Sequence, residues 1–84
     1  MITITYFGMF KQLQPSGTET LAWTGGTTED LLAQLRQRGP QWATALQPGR
    51  IFKLAINQQL LRSDAAAPIH DGDEVALLPP VTGG

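Results

Sequence analysis

The chain opens on strict alternation. Ile2, Ile4 and Tyr6 fall on one face, and Thr3, Thr5 and Phe7 on the other. Period 2 in β-branched and aromatic residues predicts a strand. The Ile2, Ile4 and Tyr6 face belongs to a core. Phe7 then stands outside beside two threonines as part of a contact surface, or folds inward at the strand end. Gly8 to Leu13 predicts a short turn or single helical turn, and Gln14-Pro15-Ser16-Gly17 a tight turn. Glu19 to Thr24 alternates weakly, with Leu21 and Trp23 on one side, and completes a hairpin with the first strand.

Gly25-Gly26 ends that pattern. Thr27 with Asp30 three residues on resembles a capping box with Asp in place of Glu, and Glu29 and Asp30 suit the positive end of a helix dipole. Leu31, Leu32 and Leu35 recur at helical spacing, and Gly39-Pro40 is a stop. A helix over 28–38 follows, its leucine stripe in the core. Pro40 starts a second short helical segment through Leu46, burying Trp42 and Leu46 or Ala45. Arg50 to Asn57 alternates again, with Phe52, Leu54 and Ile56 inward and Lys53, Ala55 and Asn57 outward. A tight turn at Asn57-Gln58-Gln59 leads into a short strand, Leu60-Leu61-Arg62, with Leu60 outward if Leu61 points in. Ser63 to His70 is a loop anchored by Ile69. Asp71-Gly72-Asp73 turns the chain into a last strand with Val75 and Leu77 on one side and Glu74, Ala76 and Leu78 on the other.

This order makes an α+β domain: a mixed sheet of about five strands with one main helix across one face. Ile4, Tyr6, Leu21, Leu31, Leu35, Phe52, Leu54, Ile56, Val75 and Leu77 line one core. The other face carries threonines and lysine, but also Phe7, Leu60, Ala76 and Leu78. A central parallel pairing of the first and last strands would place Phe7 near Leu78.

Composition narrows the function. Eighty-four residues make a single domain, 1–84. With no cysteine, neither disulfides nor a thiolate metal site support it, and the 42% hydrophobic content must supply the core. A net charge of −1 without a basic stripe argues against nucleic acid. No signal-peptide pattern and no apolar run near 18 residues occur, so the expectation is no membrane partner and a cytoplasmic protein. The lone histidine, His70, has no neighbours at triad or ligand spacing and reads as a surface side chain; no metal site is expected.

What remains is the end of the chain, 79–84. Pro79-Pro80 fixes an extended exit from the last strand, aiming Val81, Thr82, Gly83 and Gly84 away from the body. That limb reaches roughly 20 Å. A paired-glycine end enters a channel too narrow for any Cβ and presents the Gly84 α-carboxylate to another protein's active site. The bland alternative is a frayed tail. An α-carboxylate is ionised at pH 7 and a poor electrophile, so its chemistry needs activation by a partner.

The run Asp71-Gly72-Asp73-Glu74-Val75-Ala76 and above all Pro79-Pro80-Val81-Thr82-Gly83-Gly84, with Asn57-Gln58 before it, closely resembles the MoaD-type sulfur carriers, the small subunits of molybdopterin synthase. Met1 to Leu13 and Trp42 to Gly49 also fit, so the resemblance covers nearly the whole chain. It implies the ubiquitin-like β-grasp fold. It also implies that Gly84, next to Gly83, is adenylylated by a ubiquitin-activating-like enzyme and becomes a thiocarboxylate. That sulfur goes to cyclic pyranopterin monophosphate in the large synthase subunit to build the dithiolene of molybdopterin. The chain would then be no enzyme alone. Its partners would be the large subunit (two of each in a heterotetramer), the adenylyltransferase and a sulfurtransferase. No cofactor would stay bound, and the ATP would be used by the activating enzyme. Phe7, Leu60 and Leu78 match the family's apolar contact residues, and Pro79, Pro80, Val81 and Thr82 extend that contact. Leu77-Leu78 stands where aromatics are common, a departure that bears on partner packing. Other classes stay open: a protein modifier joined through Gly84, a sulfur carrier for thiamin or tRNA thiolation, or a plain interaction module.

Overall fold

In chain order the elements are β1 (Ile2–Tyr6), a 3-10 helix (Gly8–Gln12), β2 (Thr18–Leu21), β3 (Gly26–Thr27), α1 (Thr28–Arg36), α2 (Pro40–Ala45), β4 (Lys53–Ile56), β5 (Gln59–Leu60), β6 (Pro68–Ile69) and β7 (Glu74–Leu78). They are seen in a computed structural model that describes residues 1–47, 52–61 and 66–79. The main sheet runs β2-β1-β7-β4-β5. Its centre is the parallel pair β1–β7, with Ile4 beside Val75 and Tyr6 beside Leu77. A parallel pair cannot be closed by a hairpin, so the chain between must cross one face, and α1 does so. The two alternations are in phase: Ile2, Ile4, Tyr6, Val75 and Leu77 are all buried under the helices. Antiparallel β4 continues the layer through Leu54 beside Leu77. Leu21, Phe52, Leu54 and Ile56 pack on the edge of this core, half-buried.

The helix starts where the sequence places it. Asp30 N–H donates to Thr27 Oγ1, and Thr27 N–H donates to Asp30 Oδ2 at 2.8 Å, a complete capping box. Leu31, Leu32 and Leu35 are buried. The far end differs from expectation: α1 stops at Arg36, not Arg38. Gln37 and Arg38 donate three residues back, to Gln34 and Leu35, which tightens the last turn out of the α form. Arg38 then reaches β2, donating to both oxygens of Glu19 at 2.7 and 2.8 Å, and lies over the Trp42 ring at 4.8 Å.

Three further expectations are corrected. β2 ends at Leu21 rather than Thr24, because Trp23 turns inward and donates its Nε1–H to the Ile69 carbonyl at 3.0 Å. The stretch read as a loop before His70 forms a second, two-stranded sheet: Pro68 pairs with Thr27 and Ile69 with Gly26. The strand expected to begin at Leu60 begins at Gln59, so the turn is the two residues Asn57-Gln58; Ala55 faces away from the helices as expected, and is buried there. The β4–β5 turn is a type I′ hairpin, with positive φ at Asn57 (51°) and Gln58 (71°). Arg50 and Arg62, expected at strand ends, lie outside the described residues. Phe10 joins the core from the 3-10 helix, edge-on to Phe52 with ring centroids 5.9 Å apart. Among the described residues no helix is long and apolar enough to cross a membrane.

One polar network ties the layers together. Tyr6 Oη donates to Glu19 Oε2 at 2.5 Å, and Glu19 accepts the Arg38 fork, with only 14% of its side chain exposed. The Arg38 hydrogen bonds hold the Glu19 carboxyl below its ordinary pKa against the opposing effect of burial. A carboxyl depressed in the folded state adds stability above its unfolded pKa, about 4.3, and loses it as pH falls through the folded value. Glu19→Gln is expected to cost about 1–3 kcal/mol at neutral pH, since Tyr6 and Arg38 lose a charged partner. In chemical denaturation from neutral to acid pH, the gap between wild type and variant should close below pH 4.

Candidate functional site

The sheet has one covered face and one open face, and the candidate residues gather on the open one. Three rows cross it. Thr3 lies beside Glu74; Thr5, Ala76, Ala55 and Leu60 form the next row; Leu78 and Lys53 pair in the third. Phe7 joins the third row because its N–H donates to the Leu77 carbonyl at 3.0 Å, carrying the parallel ladder one step past β1. Phe7 is therefore beside Leu78, as the alternation predicts. Phe7 is 42% exposed and Leu60 65%, while Leu78 is half-buried. Leu60 sits apart from the other two, on the edge strand, with Ala55 and Ala76 between. The small residues leave a depression of about 150 Å³ with Phe7 at one end and Glu74 at the other.

The root of the tail is held at the same end. Gly8 adopts φ +58°, and a Cβ built there would lie 3.0 Å from Pro79 Cγ. Pro79 thus rests on bare backbone where β1 turns into the 3-10 helix. Sequence reasoning passed over Gly8, though a glycine directly after an alternating run is a signal for positive φ. It also passed over Met9, which is 48% exposed and lines a groove on the helix side. Pro80, Val81, Thr82, Gly83 and Gly84, the rest of the expected site, lie outside the described residues.

Charge on the open face is graded: Lys53 stands with Leu78 at the tail end, and Glu74 at the far end. Below Glu74, Asp73 is pinned by the His70 N–H at 2.8 Å and the Asn57 side-chain amide at 3.0 Å, which hold its carboxyl below the ordinary value. This is a structural latch between the β4–β5 turn and β7. Among the described residues no three His, Asp or Glu side chains come close enough to hold a metal ion. A larger groove of about 510 Å³ lies on the helix side, between Met9, Leu13, Pro40 and Thr44, and is lined by no ionisable group.

Comparison with known proteins decides the lineage: the model of the ThiS family matches residues 4–84. The chain belongs to the ThiS family. It is 37% identical to the molybdopterin synthase sulfur carrier subunit of Escherichia coli and 36% identical to that of Haemophilus influenzae, covering the whole of both. Its fold is similar to that of a chain in the protein-protein complex of subunits 1 and 2 of the molybdopterin-converting factor from Helicobacter pylori (TM-score 0.63, 26% identity, 99% of this chain and 97% of that one). A putative subunit 1 from Pyrococcus furiosus shares the fold at TM-score 0.69, 22% identity, 95% of this chain and 97% of that one. The ubiquitin-like β-grasp expected from the sequence is the fold of this ThiS-family chain.

The Gly8 contact yields a test. A left-handed φ costs an L-residue roughly 1–2 kcal/mol, and a side chain at position 8 must also displace Pro79. Gly8→Val should lose at least that much stability in thermal melts. Gly8→Asn, which tolerates the backbone angle, should lose less while still moving Pro79.

Proposed function

We propose that this chain is the sulfur-carrier subunit of a molybdopterin synthase, with Gly84 as the residue that bears the sulfur. One observation carries the reading: similarity to subunits of that name over the full length of both chains. The complex of subunits 1 and 2 from Helicobacter pylori supports a large-subunit partner; two copies of each subunit in the assembly are part of the proposal.

The chemistry follows from a terminus that cannot react unaided. At pH 7 the Gly84 α-carboxylate is ionised. An adenylyltransferase partner joins one of its oxygens to the α-phosphate of ATP and releases pyrophosphate. A sulfur nucleophile delivered by a sulfurtransferase displaces AMP, leaving a thiocarboxylate. In the large subunit that sulfur bonds to cyclic pyranopterin monophosphate, and water then cleaves the acyl carbon–sulfur bond, leaving the sulfur on the pterin and returning the terminus to a carboxylate. Gly83 and Gly84 thread the partner's channel, and Pro79, Pro80, Val81 and Thr82 fill its mouth. Phe7, Leu60 and Leu78 supply the affinity. The chain itself holds no cofactor; the ATP belongs to the activating enzyme. All of this is cytoplasmic chemistry.

Mass spectrometry of protein purified from its native host tests the reading: a sulfur-for-oxygen gain at Gly84 is expected, and a branched conjugate to a lysine would instead make the chain a protein modifier. Deleting Gly84 should abolish sulfur transfer with the thermal midpoint unchanged; normal transfer by the truncated chain refutes the assignment.

A second test separates surface from core. Leu78→Ala should weaken binding to the large subunit by about 1 kcal/mol or more with little loss of stability. Leu54→Ala should do the reverse, costing roughly 2–5 kcal/mol of stability. A Leu78 variant that unfolds yet keeps its affinity would contradict the assigned face.

A further inference from the structure

The depression on the open face is more specific than an apolar patch. Its floor is Ala55 and Ala76, paired directly across β4 and β7, with Thr5 next to Ala76 on β1. Phe7 forms the wall at the tail end. Glu74 and Gln58 line the opposite end. Glu74 is exposed, and among the described residues no hydrogen bond or ion pair engages its carboxylate. Among the described residues the cation of this face is Lys53, registered with Leu78, four residues along β7 and so roughly 13 Å away.

Shape and charge together restrict what fits. A purely apolar plug would cover the floor but strip water from Glu74 with no compensating partner, which is costly. A short cation would reach the carboxylate and leave the floor wet. A long side chain with an aliphatic stem and a cationic tip satisfies both, its stem on Ala55 and Ala76 and its tip at Glu74. A guanidinium suits the site better than an ammonium, because it binds a carboxylate with two parallel hydrogen bonds and sheds water more readily.

We propose that this depression is the receptor for one arginine of the large synthase subunit, with Ala55 and Ala76 as the floor that admits its stem and Glu74 as the acceptor of its charge. The inference rests on the carrier reading above and adds to it the chemistry of the contact. It makes Ala55, Ala76 and Glu74 specificity determinants, because a bulkier floor or a neutral end would reject the same partner.

The experiment is titration of the cognate large subunit into this chain by calorimetry, at low and high salt, with thermal melts of every variant. Ala76→Leu fills the depression and should weaken binding at least about tenfold. Glu74→Gln should weaken it about three- to tenfold at low salt and flatten the salt dependence, with an unchanged melt. Surface arginines of the large subunit are then replaced by glutamate one at a time. Glu74→Arg should restore binding to one of those variants and to none of the others. Wild-type affinity in both Glu74→Gln and Ala76→Leu overturns the receptor while leaving the carrier reading standing. Loss of affinity in Ala76→Leu alone, without charge-swap rescue, overturns the arginine. No binding by the wild-type chain overturns both the receptor and the carrier reading.

Discussion

Everything in this fold depends on the parallel pairing of its first and last strands. β1 and β7 are separated by nearly the whole sequence, yet they share four registered pairs at the centre of the sheet. The pairing is closed at its lower end too: Thr3 N–H donates to the Asp73 carbonyl at 3.1 Å and Gly72 N–H to the Met1 carbonyl at 2.8 Å. Because the pair is parallel, the chain between must return across a face, and this puts α1 and α2 on one side only. Because it is parallel, the C-terminal ends of both strands also lie together. Phe7, Gly8, Leu78 and Pro79 are neighbours for that reason alone, although no local pattern joins them.

The same alternation that builds the core grades the open face. Inward positions on β1, β4 and β7 are large, and packing them fixes the register, since a slip of one residue would exchange the faces. Outward positions are free of that demand. Threonine and alanine fill the middle of the face, while Phe7 and Leu60 stand high at its margins. The recess between them is thus a consequence of residue size on a flat scaffold and needs no irregular backbone. The Tyr6, Glu19 and Arg38 network does the corresponding task at the edge, where a carboxylate ties β1, β2 and the end of α1 together.

Much of this was legible in the sequence because period and capping are local. The strands at Ile2, Lys53 and Glu74, the Thr27–Asp30 cap and the outward positions of Phe7 and Leu60 follow from spacing within a few residues. What was not legible depends on distant partners. Pro68-Ile69 has no strand pattern of its own and becomes one only because Gly26-Thr27 lies opposite. Trp23 leaves the β2 alternation to reach a carbonyl 46 residues away. Ala55 is buried by neighbours that only the strand order supplies. Gly8 was visible as a glycine, but its use appears only when Pro79 is placed on it.

These constraints divide the work of a carrier in a definite way. In the proposed reading, reactivity is assigned to Gly84 and recognition to the open face of the sheet. A flexible limb alone would enter a partner's channel at a large entropic cost, since each ordered residue loses roughly 1–2 kcal/mol of backbone freedom. Here the root of the limb is already ordered, with Pro79 against Gly8 and Leu78 in the sheet. The folded domain meets that ordering cost in advance, and a partner docked on the open face would find the start of the limb already placed. A partner that grips the face therefore receives the terminus at a defined origin. Two partners with different chemistry can use the same limb in turn, provided each reads the same face.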